Sequence, residues 1–231
     1  MKSSVLTAGA AALWLTSVPA HATGVVPETS VVIIDQGDGE GAINVRNTDD
    51  FPVLLITTLI NTADDPEELL IVTPPAARLE PDKTQRVRFI LTHLEPLKTE
   101  RLKRVTFDGV PPQEKGKSQV LTTIRQNLPV IIRPAGLEKD LAPWKHLAWS
   151  LSGDQLTVSN PSPYVVRLAH DIQTLPDNTP WTLPNAYVLP GQRLTVKANG
   201  DQTPGTVEQV RIAPATTWGY SVDLYDAAVS Q

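Results

Sequence analysis

The feature that most constrains this chain is its punctuation. Twenty-one prolines and thirteen glycines, many in Pro-Pro, Leu-Pro-Gly and Asn-Pro settings, break the sequence into short runs of Val, Ile, Leu and Thr. Almost nothing carries the long 3.6-residue apolar period of an amphipathic helix, whereas strands of about four to eight residues fit between the breaks. The chain therefore reads as all-β. It has no cysteine, so no disulfide can brace it and each domain must rest on its own apolar core.

The start of the chain reads differently. Lys2, an apolar run from Val5 to Val18 and Ala20-His21-Ala22 have the form of an export signal over residues 1–22, with the processed chain beginning at Thr23. The run is too short for the ~20 residues of a membrane span and is interrupted by Thr7, Thr16 and Ser17. No later stretch is apolar for long enough to cross a bilayer. The expectation is a soluble periplasmic protein with no stable membrane insertion. The remaining ~209 residues suit two sandwich domains of about 100 residues each. Acidic side chains outnumber basic ones by 25 to 20, and the basic ones are dispersed, which argues against a nucleic-acid partner.

Strand-like runs divide the chain into two sets. The first, within residues 23–133, comprises Val31 to Ile34, Ala42 to Val45, Val53 to Ile60, Leu69 to Thr73, Arg86 to Leu91, Arg104 to Val110 and Val120 to Ile132. The glycine-rich Asp35 to Gly41 reads as a hairpin loop, since its acidic spacing does not match a calcium loop. Residues 134–143 look like a linker. The second set, within 144–231, comprises Leu147 to Leu151, Gln155 to Ser159, Val165 to His170, Ala186 to Leu189, Arg193 to Val196, Val207 to Ile212 and Tyr220 to Tyr225. Two sandwiches on a short linker imply a cleft between them, where binding groups often lie.

Enzyme chemistry finds no footing. There is no His-Glu-x-x-His, no Gly-x-Ser-x-Gly, no phosphate loop and no thiol. His93, His146 and His170 are scattered, and His170 and Asp171, as neighbours on a strand, point to opposite faces. No metal site and no cofactor are expected.

Six segments in order carry a resemblance. At Thr73-Pro74-Pro75, Arg78-Leu79-Glu80-Pro81, Arg86-Val87-Arg88, Leu128-Pro129-Val130-Ile131-Ile132-Arg133-Pro134, Asn160-Pro161-Ser162-Pro163-Tyr164 and Val188-Leu189-Pro190-Gly191 the chain resembles the PapD-like periplasmic pilus chaperones. The resemblance covers the whole chain after the signal. It implies two immunoglobulin-like β-sandwich domains set at an angle, and a role in escorting pilus subunits to an outer-membrane usher.

The physics of such a role needs no name. A subunit with an unfinished sandwich exposes unpaired backbone, and a strand lent by another chain completes it. Val120, Thr122, Ile124, Gln126 and Leu128 share one face of an amphipathic strand, which the resemblance makes the donor, with Val120, Thr122 and Ile124 entering the groove. Burying Val120 and Ile124 there contributes about 1.5–3 kcal/mol each. The polar loop Pro111 to Ser118 and the missing cysteine resemble the short-loop branch of the family.

The resemblance also breaks. The basic pair that in most of these chaperones binds the subunit's C-terminal carboxylate falls here on Ser30 and Pro129, neither of which is charged. Arg167 is the candidate replacement, since a guanidinium gives a carboxylate two parallel bonds. Arg125 and Asn127 are second choices, with Ser30 and Thr29 as neutral donors. Arg167 also admits a reading as a surface arginine whose stem covers apolar area. An interdomain ion network is expected through Glu100 and Arg133, its third partner being absent from the neighbourhood of Val210-Arg211-Ile212. Self-capping, in which free chaperones form a dimer through their donor strands, stays open, as does the alternative that the chain is itself a two-domain pilus subunit or adhesin-like structural protein.

Overall fold

The computed structural model describes residues 24–93, 95–112, 123–200 and 204–230. The proposed signal, Val120, Thr122 and most of the polar loop before them lie outside these residues. The first domain contains β1 (Val25–Pro27), β2 (Val32–Asp35), β3 (Glu40–Asn47), β4 (Val53–Asn61), β5 (Leu70–Thr73), β6 (Ala76–Leu79), β7 (Thr84–Leu91), β8 (Arg101–Val110) and β9 (Arg125–Arg133). They form two facing sheets, in the orders β1-β3-β7-β5 and β2-β9-β8-β4-β6. Alternation decides the faces. On β4, Val53 and Leu55 point inward while Leu54 points out, and Ile43, Val87, Phe89 and Phe107 close the core from the other strands.

The second domain follows a short 3₁₀ turn at Pro143–His146. Its strands are β10 (Ala148–Ser152), β11 (Gln155–Ser159), β12 (Val166–Leu168), β13 (Asp171–Pro176), β14 (Pro180–Thr182), β15 (Tyr187–Val188), β16 (Arg193–Lys197), β17 (Val207–Ile212), β18 (Pro214–Ala215) and β19 (Tyr225–Ser230). One sheet runs β14-β13-β17-β19-β10-β11-β16, the other β15-β12-β18. Trp144, Trp149 and Trp181 fill much of its core. Trp181 is fully buried and donates its indole N–H to Thr174 Oγ1 at 3.1 Å, so its polar edge is satisfied.

Both domains brace one corner with the same device. Asn47 is buried and donates to the carbonyls of Phe51 and Leu79 while accepting the Asp49 amide. Asn160 does the equivalent with Tyr164, Val188 and Ser162. A side-chain amide thus replaces backbone partners where the chain changes direction.

Several expectations are corrected. Asp35 to Gly41 is not a hairpin loop: β2 pairs with β9 and β3 with β1 and β7, so the loop crosses between sheets. Gly41 packs too closely for a side chain, since a Cβ would stand 2.8 Å from Ile34 Cγ1. The strand expected over Tyr220 to Tyr225 instead runs from Tyr225 to Ser230, where small residues pair with β17 and β10. Strands β1, β6, β13, β14 and β18 were not expected, each containing or adjoining proline or charged residues.

The domains are packed, not merely tethered. Val31, Leu102 and Ile131 from the first meet Val165 from the second in an apolar cluster. Gly219 presses its backbone against Ser30; a Cβ there would fall 2.2 Å from Ser30 Oγ, and its φ of +85° is one that only glycine adopts without strain.

Candidate functional site

Three features meet near the domain boundary: an open sheet edge, a closed ion network and an uncompensated arginine. The edge belongs to β9. On one side β9 pairs with β8 from Arg125 to Ile132, but on the other β2 covers only Val130 to Arg133, in parallel register. Residues 125–129 therefore have no second strand beside them among the described residues. Pro129 sits at the limit of this stretch, and proline is tolerated within a sheet where its missing N–H faces an open edge.

The face expected to donate is divided. Ile124, just before β9, is 48% exposed, and Gln126 is half-buried. Leu128 is only 6% exposed and belongs to the core of its own domain, continuous with Val130 and Ile132 on the same face. Leu128 is thus corrected from a groove residue to a core residue: the alternating face passes from the free part of the strand into the sandwich at this point. The expected start of the strand at Val120 lies outside the described residues, and the observed strand begins at Arg125.

Arg125 and Asn127 point to the outer face and are already engaged. Arg125 Nε lies 2.7 Å from Asp108 Oδ1. Arg104 donates from Nε to Asn127 Oδ1 at 2.7 Å and from Nη2 to the Asn127 carbonyl at 2.9 Å. These ties cross from β8 to β9 and hold the half-open strand in place. Thr29 donates its hydroxyl to the Val31 carbonyl at 2.8 Å, and Ser30 Oγ is 3.5 Å from the Gly219 carbonyl. Neither of these two lines the cavity that holds Arg167.

The ion network closes around Glu100 and Arg133. Both are buried; Arg133 Nε lies 3.1 Å from Glu100 Oε1, and Arg133 Nη2 donates to the carbonyls of Leu137 and Glu138. Glu100 Oε2 accepts the Val165 backbone N–H at 2.9 Å, and the Glu100 N–H donates to the Pro163 carbonyl at 2.8 Å. The third partner is therefore a second-domain backbone amide. Arg211 is occupied elsewhere, paired with Asp226 at 2.7 Å. Burial raises the Glu100 carboxyl above its ordinary value, against the Val165 amide and Arg133.

Arg167, on β12, lies in a cavity of about 310 Å³ between the domains, together with Leu102, Arg104, Pro129, Tyr187 and Ser221. Its Nη1 is buried without a hydrogen-bond partner. Burial and then the charge of Arg104 push its guanidinium below its ordinary value. Sequence reasoning missed Arg104, which carries no signal beyond its place on an alternating strand. It also missed Lys103, 1% exposed in the first domain, whose Nζ meets Asp65 Oδ1 at 2.8 Å and the Asp65 carbonyl at 2.6 Å. Arg101 bonds the same carboxylate. Burial alone raises Asp65, but these two cations outweigh it and hold its carboxyl below the ordinary range.

The histidines do not converge. His170 Nδ1 contacts the Leu183 carbonyl at 2.9 Å, not Asp171, while His146 pairs with Asp140 and stacks on Tyr164. Among the described residues no three His, Cys, Asp or Glu side chains stand together as a metal site, and no helix is long and apolar enough to cross a membrane.

Comparison with known proteins decides the family. Residues 24–138 match the pili and flagellar-assembly chaperone PapD N-terminal domain, and residues 142–224 match the C-terminal domain of the pili assembly chaperone PapD. The chain belongs to the PapD-like pilus-assembly chaperones. This chaperone is 43% identical over 211 residues to the uncharacterized fimbrial chaperone YhcA of Escherichia coli K12, covering 91% of this chain and 92% of that one. Against the chaperone protein MrkB of Klebsiella pneumoniae the identity is 29% over 165 residues, covering 66% and 71% of the two chains. Its fold matches a structure of the Salmonella enterica SafA pilin in complex with the SafB chaperone, with a TM-score of 0.71 at 24% identity, over 90% of this chain and 98% of that chain.

Proposed function

We propose that this chaperone lends the free part of its last first-domain strand to pilus subunits in the periplasm and passes them to an outer-membrane usher. In this reading residues 1–22 are the export signal, Val120, Thr122, Ile124 and Gln126 face the subunit groove, Arg167 anchors the subunit's C-terminal carboxylate, and Glu100 with Arg133 fixes the domain angle. The work is binding, with no catalysis and no cofactor.

The open edge of β9 at residues 125–129 carries this reading, with exposed Ile124 immediately before it. An uncovered edge is a liability that sequences normally hide, and it is useful where a partner supplies the missing strand. Against the rival reading, a pilus subunit, stands the complete pairing of β9 with β8, which leaves the first sandwich with its closing strand in place.

The test is co-expression with a tagged candidate subunit, comparing the wild type with Ile124→Asp. A carboxylate forced into an apolar groove costs several kcal/mol, while at an exposed position it leaves the free protein folded. Complex recovery should collapse with an unchanged far-ultraviolet spectrum of the free chaperone. Equal yields of complex would remove β9 as the donor.

A further inference from the structure

The ties across the domain boundary differ in kind. The Glu100–Arg133 network is buried and lies beside the linker, whose carbonyls Arg133 holds. A different tie stands at the tip of the turn after β4. There Asp64 Oδ2 accepts the Tyr187 hydroxyl at 3.0 Å and the Asn185 side-chain amide at 3.4 Å, both from the second domain. These bonds are exposed, so water competes for each partner and release costs little. Burial and then Asp64 push the Tyr187 hydroxyl up to about 12, so it stays protonated and donating at neutral pH.

The turn that carries Asp64 is mounted firmly on its own domain. Thr62 and Asp65 bridge across it, and the Asp65 amide donates to the Thr62 carbonyl at 3.1 Å. Asp65 is held in turn by Arg101 and by buried Lys103, whose Nζ also reaches the Asp65 carbonyl. The worth of such an ion pair is in fixing one arrangement of the turn more than in stability. Around Tyr187 the contact between the domains is thin. Its ring packs with Leu189 against the cluster of Val31, Leu102, Ile131 and Val165. Two cavities adjoin this contact, one of about 460 Å³ lined by Asp64 and Leu189 and one of about 310 Å³ lined by Pro129 and Tyr187, with Leu102 in the wall of both. Voids offer no packing attraction, so a rotation there breaks few contacts. The linker lies on another flank: Arg133 and Lys139 line a third cavity that shares no residue with these two.

We infer that Asp64, Tyr187 and Asn185 form a clasp that keeps the domains of the free chaperone shut, and that its release lets them part about the linker side. The firm turn supplies a fixed post, the exposed hydrogen bonds a fastening that opens at small cost, and the two cavities the freedom to move. On the linker side the buried network stays closed, and Gly219 meets Ser30 with no room for a Cβ, which makes that flank the fulcrum. The clasp also stands where a partner arrives. A strand added to residues 125–129 of β9 ends at Pro129, which lines the same cavity as Tyr187. An incoming subunit thus reaches the boundary at the clasp, and opening and capture become coupled, each favouring the other. The clasp itself does not depend on the chaperone reading; only its part in subunit entry rests on that reading.

The experiment uses the full processed chain. It has no cysteine, so Lys83→Cys with Lys197→Cys, one exposed position in each domain, reports interdomain distances by paired spin labels. Distances are measured with the clasp intact, in Asp64→Ala, in Tyr187→Phe and in the two combined. Asp64 is exposed and Tyr187→Phe keeps the ring, so circular dichroism should show every variant folded. Each single change should add a second, more open population to the free chaperone, and the combined variant should match Asp64→Ala, since both changes undo one fastening. Unchanged distances in both single variants, or a combined effect equal to their sum, overturn the clasp. A tagged candidate subunit then tests its use. Tyr187→Phe should capture the subunit about threefold faster or more, because more molecules start open, and the bound intact chaperone should show the open distances. Equal capture rates, or a complex with the shut distances, overturn the part of the clasp in entry. Capture by neither protein counts against the chaperone reading alone and leaves the distance result in force.

Discussion

Two arginines stand at the domain boundary in opposite conditions. Arg133 is saturated: a buried carboxylate and two linker carbonyls take its donors, and the same carboxylate reaches across to a second-domain amide. Arg167 is half-buried, with its Nη1 out of contact with solvent and unmatched and a second cation as its charged neighbour. A buried charge that is fully paired is an element of architecture, and removing its partner exposes the cost of burial. A half-buried charge with one unpaired donor is a smaller cost that the free fold carries.

The contrast can be broken by measurement. Arg133→Ala should be the most damaging change, leaving Glu100 buried without a counter-ion, and should lower unfolding free energy in urea by about 3–5 kcal/mol. Glu100→Gln should cost less, about 1–2 kcal/mol, because the amide oxygen still accepts from Val165 and Arg133. That cost should also vary with pH. The folded protein holds the Glu100 proton more tightly than the unfolded chain does, so the advantage of Glu100 over glutamine is full below pH ~4 and declines as pH rises through its elevated folded value. Asp65, held low by Arg101 and Lys103, has the reverse sign: its advantage over asparagine is present above pH ~4 and declines as acid protonates the folded carboxylate. Parallel slopes in the two urea series would show that one of these carboxyls is misassigned. Smallest of all should be the effect of Arg167→Met, which removes an unpaired charge while keeping an apolar stem, and should change stability by no more than about 1 kcal/mol. A larger loss would mean that Arg167 is as structural as Arg133.

Much of the fold was legible because one-sided burial imposes a period of two on strands such as β4 and β7, and turn residues bound them. What was illegible depended on partners distant in sequence. Nothing local marks Ala76 to Leu79 as a strand until β4 lies beside it, and the small residues of β19 gain meaning only between β17 and β10. Asp35 to Gly41 has hairpin chemistry, but the cores on either side assign its two strands to different sheets. The candidate site divides in the same way. Arg167 could be singled out because a resemblance named the charge that was missing, while Arg104 emerged only when folding set it across a cavity from Arg167. Lys103 offered no cue at all, since its counter-ion lies 38 residues away.

The register of β2 has a consequence for any incoming chain. Because β2 already occupies the β9 edge from Val130 onward, a strand added to residues 125–129 is laid end to end with β2 and must halt at Pro129, which also forms part of the cavity wall. β2 thus acts as a buffer stop. The length of edge left open to a partner is therefore set inside the chaperone itself, by the residue at which β2 begins to pair.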